Sequence, residues 1–148
     1  MPYLRVTCPE LSPERRRIIA TRLTDAVNDL FFNPRARLTR EELRERTTIH
    51  FAPYREADLF IGGRTPQERG EIDLTVELSD WSMSARRQRK VARALTPLLG
   101  ELFSIPPERK DGISIRFHPY PPTDFAVGGR LLSEIVPLTG RLMKQLFD

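Results

Sequence analysis

Leu4 and Val6 alternate with Tyr3, Arg5 and Thr7, the period-two signature of a buried strand over residues 3–7. Pro9-Glu10-Leu11 then makes a turn. Ser12 offers a helix cap, with Pro13 at the first helical position and Glu14 in the first turn. Ile18, Ile19, Leu23, Ala26, Val27, Leu30 and Phe31 recur at helical spacing, which predicts a helix over 13–32 that stops before Asn33-Pro34. Thr39 and Glu42 form a capping-box pair, predicting a short helix over 39–46. A second strand is expected over 47–53, followed by a loop and Leu59-Phe60-Ile61-Gly62-Gly63.

The pattern then repeats. Thr48-Ile49-His50-Phe51-Ala52-Pro53-Tyr54 matches Ser114-Ile115-Arg116-Phe117-His118-Pro119-Tyr120, and Asp58 to Arg64 matches Asp124 to Arg130, both at a step of 66. Leu4-Arg5-Val6 matches Leu74-Thr75-Val76 at a step of 70, and Ser12 with its helix matches Ser84 with Val91, Leu95, Leu99 and Phe103 at 72. The chain therefore reads as two βαβ units in tandem, 2–66 and 71–132, with a tail over 133–148. Each unit implies parallel strands and a right-handed crossover. The two Gly-Gly pairs read as turns that need positive φ. The tail carries Leu138, Leu142, Leu146 and Phe147, a pattern that suggests a short helix packing on a neighbour.

Two helices can cover only one face of a four-stranded sheet. The other face is half polar and still carries Tyr3, so a second copy is expected to cover it. The chain is 39% hydrophobic and 30% charged with a net charge of +4, an ordinary profile for a water-soluble domain. The basic runs Arg15-Arg16-Arg17 and Arg86 to Lys90 fall on predicted helices and read as solvated faces. The sheet lacks the paired aromatics of RNA-recognition strands, which argues against nucleic acid as a partner. A single cysteine, Cys8, excludes a disulfide framework and a thiolate metal site. No apolar run approaches the ~18 residues of a membrane span, and the start is too polar for a signal peptide, so the expected location is cytoplasmic.

Chemistry enters through Pro2. Methionine before proline is normally removed, which would leave Pro2 as a secondary amine at the tip of a core strand. An α-amino group titrates near ~7.7–8.0, and burial alone would draw it toward ~6–7. Such an amine is a general base at neutral pH, or a nucleophile toward carbonyls.

The Met-Pro start, the Ser-Pro-Glu-led helix, the second strand and the Phe-Ile-Gly-Gly turn, set in a duplicated βαβ frame, resemble the tautomerase superfamily. Two units in one chain look like its fused members. The resemblance covers residues 1–132. It implies an α+β fold of tandem βαβ units (βαββαβ), a four-stranded sheet with two helices on one face, and a homotrimer. It also implies Pro2 as the catalytic base or acid, with neither metal nor cofactor. Ile72 stands where the second unit would need a proline, so one site per chain is implied. Phe125 falls where the type member has an active-site phenylalanine; Leu59 is its mate in the first unit. The family's carboxylate-binding arginine has no gap-free match, since Thr48 and Ser114 stand there. Arg116, two residues on, is the substitute, and His50 is an expected interface residue. Trp81 and Phe125 could wall an apolar pocket, and Arg5, Arg64 and Arg130 are further anion-binding candidates. Leu11 and Asp80-Trp81-Ser82 occupy the turns where relatives carry arginines, and Val27 replaces a helix histidine. A smaller or monoanionic substrate is therefore implied.

The expected function is keto–enol tautomerisation of a small unsaturated or 2-oxo carboxylic acid. The alternatives are a non-catalytic trimeric binding or scaffold protein of the same fold, and a hydratase or dehalogenase-like member.

Overall fold

The computed structural model describes residues 1–140 and 142. Strand β1 (Tyr3–Pro9) leads into helix α1 (Pro13–Phe31), a short helix α2 (Arg40–Glu45) and strand β2 (Thr48–Tyr54). A single helical turn, α3 (Pro66–Arg69), joins this to β3 (Leu74–Trp81), α4 (Ala85–Phe103) and β4 (Ile113–Tyr120). A two-stranded ribbon, β5 (Ala126–Val127) and β6 (Arg130–Leu131), precedes α5 (Leu132–Ile135).

The sheet order is β2-β1-β3-β4. β1 and β2 are parallel, β3 and β4 are parallel, and β1 meets β3 antiparallel at the centre. This is the tandem βαβ arrangement expected from the repeat. The two helices start alike: the Ser12 hydroxyl accepts from the Arg15 amide at 3.2 Å, and the Ser84 hydroxyl from the Arg87 amide at 3.1 Å. Each thereby satisfies an amide that the first helical turn leaves unpaired. Leu4, Val6, Leu74, Val76 and Leu78 are fully buried beneath Ile19, Leu23 and Val27 of α1 and Val91, Leu95 and Leu99 of α4. Gly62 and Gly63 have φ of 60° and 77°, and Gly128 and Gly129 have 58° and 78°. The two turns are therefore the same, and both need a backbone that side chains rarely tolerate.

The helices cover one face only. On the open face the Tyr3 hydroxyl is 2.7 Å from His50 Nδ1. Glu77 sits there between Arg5, 3.9 Å away, and His118, 3.5 Å away.

The segment Asp80-Trp81-Ser82, read from sequence as a turn, is instead the end of β3 with Ser82 beyond it. The Ser82 amide donates to the Tyr120 carbonyl at 3.0 Å, which carries the ladder one step past Trp81. Ser82 then turns the chain with φ of 50°. In the tail, residues 138–140 and 142 are helical, and Leu138 and Leu142 are exposed. Leu146 and Phe147 lie outside the described residues. Among the described residues no helix is long and apolar enough to cross a membrane.

Candidate active site

Pro2 stands one residue before β1 and shares the buried parity of Leu4 and Val6. Its carbonyl accepts from the Thr48 amide at 3.0 Å, which fixes it against the start of β2. The β1–β3 register pairs Tyr3 with Ser79, so one step further on Asp80 lies across from Pro2. Asp80 is 2% exposed. It ends the inward row Leu74, Val76, Leu78, in which every other member is apolar. The Met1 amino group donates to Asp80 Oδ1 at 2.6 Å. A carboxylate so buried is tolerated when a cation and hydrogen bonds compensate its lost hydration. Tyr120, on β4, completes this end of the sheet. Burial, together with the Asp80 charge, pushes its phenol up to about 12, so the hydroxyl keeps its proton.

An open cleft of about 1030 Å³ begins at Met1, Pro2, Asp80 and Trp81. Phe31, Phe32, Val127, Leu132 and Ile135 give it apolar walls. Arg35, Arg37, Arg46 and Arg87 give it positive charge. Three of these arginines come from residues 32–47, the connection that is longer than its repeat mate at 104–112. That connection is well anchored. Leu43 is buried, Asn28 Nδ2 donates to the Arg40 carbonyl at 3.1 Å, and Arg44 pairs with Asp25 at 2.5 Å. Thr39 and Glu42 close a reciprocal cap on α2. Hydrogen bonds from the Thr39 backbone and side chain hold the Glu42 carboxyl below its ordinary range. Arg87 donates to the Leu30 carbonyl at 3.1 Å and lies over the Phe31 ring, 5.2 Å from its centroid.

Of the residues singled out in the sequence, Pro2 and Trp81 come together on this cleft. Phe125 packs on the Tyr120 ring at 5.7 Å, and its neighbours Val127 and Leu132 reach the cleft. Arg5 and Arg116 do not join them within one chain. Both pair with Glu77 across the strands, on the open face, while Pro2 faces the helices. Asp80 and the arginines of the cleft were not singled out for this site. For Asp80 the signal was present: it continues the alternation of Leu74, Val76 and Leu78. For Arg35 and Arg37 there was none, since they lie on an irregular stretch with no periodicity to show where it folds; for Arg46 and Arg87 the predicted helices did not say what the two residues face. Among the described residues no His, Cys, Asp and Glu cluster could hold a metal ion.

No protein-family model matches the chain, and no curated protein matches it. Solved structures do. A wild-type fused 4-OT described as an asymmetric trimer superposes with a TM-score of 0.73 at 17% identity, over 91% of this chain and 99% of that one. Pt0534 inactivated by 2-oxo-3-pentynoate gives 0.71 at 17%, over 91% and 99%. The chain has the fused tautomerase fold. N1, a member of the cis-3-chloroacrylic acid dehalogenase family, shares that fold with a TM-score of 0.66 at 18% identity, over 98% and 99% of the two chains. The tautomerase fold explains why strand starts and strand ends meet: its central antiparallel pair brings the start of β1 to the end of β3.

Proposed function

We propose that the protein is a cofactor-independent keto–enol tautomerase acting on a small unsaturated or 2-oxo carboxylic acid. Removal of Met1 makes Pro2 a secondary amine, and that amine carries the proton between two atoms of the substrate. The observation that carries this reading is the place of Pro2: buried, across from a carboxylate, at the mouth of a cleft with apolar walls and arginines. Arg37 and Arg46 are the carboxylate-binding groups within the chain, and Trp81 walls the pocket. Oriented cations at the place where an enolate develops stabilise it far better in a cleft than in bulk water. Fused 4-OT relatives described as trimers support a homotrimer whose subunits cover the open faces. Arg116 and Arg5 then act across subunit boundaries.

The test is ketonisation of phenylenolpyruvate, followed by its ultraviolet absorbance. Pro2→Ala, or chemical blocking of the amine, lowers turnover at least ~100-fold. An unchanged rate removes the mechanism. The likeness to N1 supports a second reading, addition of water to an unsaturated acid. A hydrated product from an acetylenic or olefinic acid would favour it over isomerisation.

A further inference from the structure

We infer that Asp80 is a positioning residue that keeps the Pro2 nitrogen loaded with its proton, so that the site protonates an enol acid at carbon. The inference rests on Pro2 as the proton carrier. It adds which protonation state waits for substrate and which kind of substrate that state suits.

The geometry is specific. Asp80 occupies an inward position at the end of a row of fully buried aliphatic side chains. Nothing in the fold itself requires a carboxylate there. Its mate at the repeat step of 70 is Glu10, which is exposed, and the residue that corresponds to Pro2 is Ile72, 40% exposed. Of these two repeat mates only Asp80 is buried; it lies across from Pro2 in the β1–β3 register and, with Met1 still in place, takes the Met1 amino group at 2.6 Å.

Register sets the Asp80 carboxylate across from Pro2, and an opposite charge close by favours the charged amine while burial disfavours it. The charge of Asp80 is also felt across the strand at Tyr120, whose phenol it helps to keep protonated. The other charged groups bordering the cleft are Arg35, Arg37 and Arg46 with Glu42 from residues 32–47, and Arg87 from α4.

A secondary ammonium has two N–H bonds. Asp80 takes one, which turns the other toward the cleft. In the reaction one N–H bond breaks and its proton forms a new C–H bond on the enol. The enol O–H bond breaks in turn, and its proton returns to nitrogen as the carbonyl forms. Atoms and electrons balance without an added oxidant or reductant. The substrate class that suits a nitrogen loaded in this way is an enol or dienol acid, ketonised rather than enolised.

The experiment is a titration of the ¹⁵N-labelled amino-terminal nitrogen by NMR in the full chain, with intact mass showing which residue comes first. In Asp80→Asn the midpoint falls by about one pH unit or more, and the alkaline limb of the phenylenolpyruvate rate profile falls with it. Glu10→Gln leaves both in place. An unchanged midpoint in Asp80→Asn overturns the inference. If that variant does not fold, ¹³C observation of the wild-type Asp80 carboxyl decides. A step at the pH where the nitrogen titrates supports the inference, and no step overturns it. The two readings fail separately. Retained Met1, or full activity in Pro2→Ala, removes the proposed function and this inference together. An immobile midpoint in a processed, Pro2-dependent enzyme removes only the role of Asp80.

Discussion

The two ends of the central strand pair make a natural comparison, because the repeat relates them. At one end Pro2 meets Asp80, and Tyr120 lies alongside. At the other, Ile72 takes the place of Pro2, Glu10 that of Asp80, and Tyr54 that of Tyr120. Asp80 is 2% exposed, whereas Glu10 and Ile72 stand in solvent. The connections over the two ends differ as well. Residues 32–47 fold α2 beside Pro2 and leave an open cleft. Residues 104–112 close tightly over their end: a side chain at Gly112 would come within 3.0 Å of the Ile72 carbonyl, and Arg109 donates to the Gly70 carbonyl at 3.0 Å. Duplication built two equivalent ends; a longer connection and a buried carboxylate distinguish the one where chemistry is proposed.

The comparison can be broken first at the core, where the halves should behave alike. Leu23 and Leu95 are repeat mates, and both are fully buried under the sheet. Each truncation to Ala costs about 2–5 kcal/mol by urea unfolding. A large difference between the two would show that the halves are not energetically equivalent. The ends should then diverge. Asp80→Ala leaves a part-buried amine without its carboxylate and costs about 1–3 kcal/mol, while Glu10→Ala stays within ~0.5 kcal/mol.

The smallest effect separates the two tyrosines. Both phenols are raised, Tyr54 mainly by burial and Tyr120 by burial plus the Asp80 charge, the latter to about 12. Below pH ~10 a tyrosine keeps its proton in the folded and the unfolded chain. Between there and about 12 only the unfolded chain releases it, so this contribution to stability is lost as pH rises through that window. Ultraviolet titration of Asp80→Asn should lower the Tyr120 midpoint and leave that of Tyr54 in place.

Much of this fold was legible because it rests on local pattern. The step of 66 located β2, β4 and both Gly-Gly turns, and the Ser12 and Ser84 caps located both long helices. The site was legible only at Pro2 and Trp81. What brings the start of β1 to the end of β3 is a long-range antiparallel pairing, and neither unit carries a local signal for it. The choice of Arg116 followed strand parity without that pairing, and Arg5 entered only as a further anion-binding candidate. Parity in fact places Arg5 opposite to Pro2, since Pro2 keeps step with Leu4 and Val6. Arg37 sits on an irregular stretch and Arg46 at the C-terminal cap of α2, where charge alone says nothing about direction.

The central claim is that the Pro2 nitrogen is a free, reactive amine at the cleft. Its most direct test is treatment with 2-oxo-3-pentynoate, whose electron-poor alkyne is open to attack by an amine, followed by intact mass and peptide mapping. The account predicts one adduct per chain, on the nitrogen of Pro2 after loss of Met1, with activity lost in step. A chain that keeps Met1, or one whose only adduct lies away from Pro2, would contradict it.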